Sequence, residues 1–134
     1  MTEIRQAQET ILVVEDDILV RMPIAQYLRE CGYKVIEAAN ADEAMHVLLH
    51  KDTVVHLVFS DIEMPGAVDG FGLAKWIREN RSDLDVLLAG TLSRAVKNAK
   101  DLCAQGPVPK PYEAQAVHDH IRRLLAARDA AARR

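Results

Sequence analysis

The feature that most constrains this chain is a repeated alternation of short β-branched apolar runs with longer segments of helical period. Ile11-Leu12-Val13-Val14 stops abruptly at Glu15-Asp16-Asp17. Runs this short and this apolar read as buried strands. The next stretch places Val20, Ile24, Leu28 and Cys31 at helical spacing and ends at Gly32, the usual residue just past a helix. Pro23 lies inside it, so that helix either kinks or starts late. Tyr33–Ala38 predicts a second strand, and Asn40 with Glu43 resembles a capping box for a helix bearing Ala44, Val47 and Leu48. Val54–Phe59 predicts a third strand, stopped at Ser60-Asp61. Pro65, Gly66 and Gly70 then form a loop before a helix with Leu73, Trp76 and Ile77. Val86–Ala89 predicts a fourth strand, followed by a helix through Leu92, Val96, Ala99 and Cys103. A short fifth strand falls around Val108, and a last helix from Tyr112-Glu113 sets Val117, Ile121, Leu124 and Leu125 on one face.

Five strands alternating with five helices through short connections require right-handed crossovers and a parallel sheet covered on both faces. The predicted fold class is therefore a three-layer α/β domain, (βα)5. A length of 134 residues holds one core. We divide it into a polar leader over residues 1–9, the domain over 10–126 and a basic helical tail over 127–134. The formal charge is −3, unevenly spread, because His118–Arg134 holds five Arg against two Asp. That balance argues against a nucleic-acid coat or an attraction to anionic membranes. Cys31 and Cys103 are too few for a disulfide scaffold or a metal cage and are expected to be reduced. Neither a signal-peptide core nor a membrane-length apolar run is present, so the expected location is cytoplasmic.

In such folds ligands bind beyond the carboxyl ends of the strands, where strand order reverses. That rim collects Glu15-Asp16-Asp17, Ser60-Asp61, Gly90-Thr91 and Pro109-Lys110. Carboxylates gathered there repel one another by about 4 kcal/mol per pair at ~4 Å and an effective dielectric near ~20. Oxygen ligands without His or Cys favour Mg²⁺ as the compensating charge. Asp61 beside a metal is then a nucleophile able to form an aspartyl phosphate, with Lys110 pairing with another phosphoryl oxygen. Capping alone explains Asp16 or Asp17. It does not explain Glu15, Asp61 and Lys110 on the same rim.

The motifs Ile11–Asp17, Asp61-Ile62-Glu63-Met64-Pro65-Gly66 with Asp69-Gly70, and Lys110-Pro111-Tyr112 together resemble the receiver domains of bacterial two-component response regulators. The resemblance covers about Thr10 to Leu125. It implies a CheY-like, flavodoxin-like sheet of order 2-1-3-4-5. It also implies Asp61 as phosphoacceptor, Glu15, Asp16 and Asp61 as Mg²⁺ ligands with the backbone carbonyl of Glu63, and Lys110 against the phosphoryl group. The implied function is to accept a phosphoryl group from a histidine kinase or phosphotransfer protein and to signal through a protein surface, with no enzyme activity beyond the domain's own phosphorylation and dephosphorylation. With nine residues after Leu125, the expected output is that surface, on the face of the fourth helix, fifth strand and last helix.

Two positions depart from the family pattern. The switch hydroxyl at the end of the fourth strand falls on Gly90; Thr91, one residue later, substitutes only if a bulge re-aims it. The switch aromatic of the fifth strand is Pro107, which cannot change rotamer in response. The relay is therefore expected to be atypical. The competing expectations are an unphosphorylated receiver-like binding module and a phosphate sink or relay intermediate. A phosphatase lacks its second Asp, since that position is Glu63, and a flavin phosphate would meet Glu15-Asp16-Asp17. His46 and His50 have a zinc-compatible spacing but no evident third ligand, and Trp76 is expected to pack.

Overall fold

In the computed structural model the described residues are 8–90, 108–109 and 113–132. Strands β1 (Thr10–Val14), β2 (Lys34–Ala38), β3 (Leu57–Asp61), β4 (Asp85–Gly90) and β5 (Val108–Pro109) form one sheet of order β2-β1-β3-β4-β5. Every pairing is parallel. Helices α1 (Ile18–Glu30), α2 (Ala41–Leu49), α3 (Gly70–Asn80) and a last helix, α4 (Ala114–Ala132), cover it. α1 and α4 pack together, as do α2 and α3, giving the three layers. The sheet order agrees with the one the resemblance implied. The helix expected through Leu92–Cys103 lies outside the described residues.

Burial follows the layering. All five residues of β1 and all five of β3 are buried, because these central strands have helices on both faces, whereas edge strand β2 is only partly covered. Phe59, Leu12, Leu57, Leu73, Leu87 and Ile121 are among the largest fully buried side chains. The core therefore runs directly beneath the carboxyl rim and gives it a rigid floor.

Local signals set the helix ends. Asp17 caps α1 by accepting from the Leu19 N–H at 2.9 Å. The helix starts at Ile18 and continues through Pro23, which the sequence had left open. At its end Gly32 takes φ +107°, its N–H bonds the Arg29 carbonyl, and the Tyr33 N–H bonds the Leu28 carbonyl, a Schellman ending. Asn40 accepts from the Glu43 N–H at 2.9 Å, and the Glu43 carboxylate reaches back to the Ala39 N–H at 2.7 Å. This is the anticipated capping box, with the return bond one residue earlier than usual.

The third strand corrects the sequence expectation. It begins at Leu57, not Val54, whose side chain is 63% exposed. The chain turns first, with the Thr53 N–H on the His50 carbonyl. His56 then donates its N–H to the Thr10 carbonyl and accepts the Thr10 N–H on Nδ1, both at 2.9 Å. The imidazole thus stands in for a strand carbonyl, a contact that an apolar run cannot reveal. At the other end the strand extends to include Asp61.

Candidate functional site

Strand order reverses between β1 and β3, and the acidic residues lie there. Glu15 follows β1 and extends its pairing with β2 by one bond, from its N–H to the Ala38 carbonyl at 3.0 Å. Asp61 ends β3 beside it. Their side chains are 3% and 4% exposed respectively, while Asp16 is exposed. One carboxylate oxygen from each of Glu15, Asp16 and Asp61 lies within 4.8 Å of the others. Three acids this close, two of them buried, form an oxygen-only donor set that fits a hard divalent cation with water completing its shell. Among the described residues it is the only cluster of metal-ligating side chains. His46 and His50 join none.

The backbone around the cluster is tightly held. The Glu15 Oε2 atom accepts from the Asp17 N–H at 3.2 Å, and the Glu15 carbonyl accepts from Arg21 Nη1 at 2.9 Å. Arg21 also pairs through Nε with Glu37 Oε1 at 3.0 Å, so a cation from α1 stands behind the acidic turn and ties it to β2. Sequence reasoning missed Arg21. Its partners are a main-chain oxygen and a side chain on another strand, and neither leaves a local pattern. On the β3 side the Ser60 hydroxyl donates to the Asp61 carbonyl at 2.9 Å, and the Ile62 N–H donates to the Ala89 carbonyl at 2.8 Å. The Ile62 carbonyl accepts from the Gly70 N–H at 2.8 Å. Gly70 is required there: a β carbon would stand 2.6 Å from Ile62 Cα and hard against the Asp61 carbonyl oxygen. Asp69 caps the same helix through the Gly72 N–H at 2.9 Å.

Of the other residues singled out, Gly90 is buried at the end of β4 and pairs with Pro109. Glu63 is exposed two residues beyond Asp61. Thr91, Pro107 and Lys110 lie outside the described residues. Cys31 is a free thiol at the end of α1, with Sγ 3.3 Å from His118 Nδ1, whose ring packs edge-on against Tyr33 and Tyr27. Burial, reinforced by the Arg122 charge, holds the His118 pKa below its ordinary value. Trp76 is partly buried against the core. It lines, with Met45, Met64 and Val68, a groove of about 570 Å³ between α2 and α3.

A five-stranded parallel sheet with carboxylates converging where its strand order reverses makes this an open α/β domain with a candidate divalent-cation site on its rim. Residues 11–122 match the response regulator receiver domain family, and the chain belongs to that family. It is 36% identical over 105 residues to the transcriptional regulatory protein PdtaR of Mycobacterium tuberculosis, covering 76% of this chain and 49% of that protein. It is 32% identical over 124 residues to the sensor kinase CckA of Brucella abortus, covering 90% of this chain and 13% of that one. The chain thus spans half or less of the length of these relatives. The crystal structure of the response regulator TrrA from Thermotoga maritima, in complex with Mg²⁺-BeF, is similar at a TM-score of 0.75 and 28% identity. That likeness covers 87% of this chain and 99% of the other. The receiver family is a signalling family whose members bind Mg²⁺ at an acidic pocket and interact with histidine kinases or phosphotransfer proteins. None of the described helices is long and apolar enough to cross a membrane.

Proposed function

We propose that the chain is a phosphoacceptor in a two-component pathway, with Asp61 as the residue modified. The observation that carries this reading is the buried Asp61 carboxylate held within 4.8 Å of those of Glu15 and Asp16. Buried carboxylates at this spacing repel each other unless a cation is shared, and the shared cation is what an incoming phosphoryl group also requires. Glu15 and Asp16, with Asp61 and the backbone carbonyl of Glu63, would hold Mg²⁺, which when bound offsets charge on the transferring phosphoryl oxygens. An Asp61 oxygen attacks phosphorus, the bond from phosphorus to the donor breaks, and the donor leaves with that electron pair. Lys110 is assigned to the phosphoryl group. Thr91 is assigned only the reserve role of replacing the hydroxyl that Gly90 lacks. Nothing in this set assembles a site for a separate substrate, so the domain is read as a signalling element and not as an enzyme acting on other molecules.

The donor is a histidine kinase or phosphotransfer protein. Ile18, Leu19 and Met22, on the α1 turn that follows the acidic residues, are 50%, 82% and 56% exposed and offer such a partner apolar surface beside the site. The receiving partner is a protein, met at the face that includes β5 and α4, and the expected location is the cytoplasm, the usual one for the family. A second reading, an unphosphorylated binding module, is favoured by the departures at Gly90 and Pro107, and a phosphate sink or relay intermediate is a variant of the first.

Incubation with Mg²⁺ and a small acyl-phosphate donor, followed by intact mass measurement, tests the proposal. One added phosphoryl group, absent in Asp61→Asn and absent after chelation, is the expected result. An unmodified parent chain would leave the binding-module reading.

A further inference from the structure

Glu15 and Asp16, the two acids that follow β1, share one planar peptide unit, and that unit is gripped from outside the cluster. Its oxygen, the Glu15 carbonyl, accepts from Arg21 Nη1 at 2.9 Å. Because the α carbons of both acids lie in that plane, its orientation sets where both side chains depart. Arg21 is itself firmly seated. Its N–H bonds the Asp17 carbonyl at 2.8 Å, which fixes its backbone in the first turn of α1, and its side chain is only 15% exposed. From Nε it reaches Glu37 Oε1 on edge strand β2 at 3.0 Å. The other oxygen of that carboxylate, Oε2, accepts from Arg29 Nη2 at 3.2 Å, in the last turn of the same helix. Arg29, Glu37 and Arg21 thus form a line of ion pairs that ends on the peptide between the two acids. Two arginines against one glutamate leave that line net positive. By Coulomb's law alone it disfavours a cation at the acids, so any help it gives a cation must come through geometry.

We propose that Arg21, anchored by Glu37, is a positioning residue for the cation site: it holds the Glu15–Asp16 peptide so that both carboxylates meet Mg²⁺ already oriented, and Glu37 acts on that affinity through Arg21. The inference rests on the reading of the acidic cluster as the Mg²⁺ site beside Asp61. A guanidinium suits the task because its planar fork serves the Glu15 carbonyl from Nη1 and the Glu37 carboxylate from Nε at once. A lysine ammonium keeps the charge but not the fork. Groups that orient metal ligands in this way commonly change metal affinity tenfold or more when they are removed.

The test is titration with Mg²⁺ alone, followed by amide shifts at a temperature where circular dichroism shows each protein folded. It compares the parent with Arg21→Lys, Arg21→Gln, Glu37→Ala and the Arg21→Gln/Glu37→Ala double variant. Arg21→Gln should bind about tenfold more weakly than the parent, with Arg21→Lys between the two. Glu37→Ala should also bind more weakly, and the double variant no more weakly than Arg21→Gln, because the two residues act as one unit. Charge alone predicts the reverse order, with the glutamine variant tightest, and that order would overturn the proposal. Equal affinity throughout would overturn it too, since Arg21 would then serve only stability, and so would Arg21 and Glu37 effects that add in the double variant. If Arg21→Gln does not fold, Arg21→Lys decides: its charge is the parent's, so weaker binding supports the role of the fork and parental binding overturns it. A parent that binds no Mg²⁺ fails differently, sinking the cation site itself and the role of Arg21 with it, whereas the other adverse outcomes leave the site standing.

Discussion

The β1–β3 side and the β4 side of one rim solve opposite problems with the same backbone arrangement. At β1 and β3 the strand ends release Glu15, Asp16 and Asp61, whose oxygens converge within 4.8 Å, and Arg21 braces the turn from α1. At β4 the strand stays apolar to its last residue, and Ile62 packs over Gly90. The first region concentrates carboxylate charge, which an added divalent cation would offset. The second ends in Ala89 and Gly90, which bring no side-chain oxygen or nitrogen to the rim. The acids of the rim and the apolar end of β4 thus belong to different strands.

The sharpest way to break that contrast is Asp61→Asn, which should abolish the phosphoryl adduct entirely while leaving the fold intact; an adduct mapped to another residue would move the chemistry off β3. Gly70→Ala comes next. Its β carbon has nowhere to go against Asp61 and Ile62, so unfolding in denaturant should show a loss of at least about 3 kcal/mol, and a loss below about 1 kcal/mol would mean that the loop is not pinned as described. Asp16→Asn removes one charge of the cluster and should weaken Mg²⁺ binding about tenfold in a titration followed by Trp76 fluorescence or amide shifts, since one such interaction is worth about 1.4 kcal/mol or more at partial burial. Equal affinity in parent and variant would exclude Asp16 as a ligand. Arg21→Ala acts from behind the cluster, loosening the Glu15 turn, and should lower stability by about 1–2 kcal/mol.

The smallest expected effect lies away from the rim, where α1 meets α4. Burial and Arg122 depress the His118 pKa, so between its folded value and about 6.5 the unfolded chain binds the proton that the folded chain refuses. Stability from this group is complete above about pH 6.5 and falls as the pH drops toward the folded pKa, by less than about 1 kcal/mol for a side chain that is only partly buried. His118→Gln should flatten that slope in urea melts from pH 5 to 7 without changing Mg²⁺ affinity. A change in Mg²⁺ affinity would couple the two regions that the comparison separates.

How much of this was legible beforehand depends on the range of each interaction. The sequence determined the succession of the described elements, a cap at Asp16 or Asp17, the cap at Asn40, the ending at Gly32 and the acids at the strand ends, because each is written within a few neighbouring residues. Resemblance added the sheet order, which the structure matches. Tertiary structure alone decided where β3 begins, since His56 replaces a strand carbonyl for Thr10, forty-six residues away. It alone supplied Arg21 behind Glu15 and Ile62 over Gly90, contacts made between elements. An apolar run or a lone glycine has the same local pattern whatever packs against it, and what fills the space beside it is fixed only when distant strands close into one sheet.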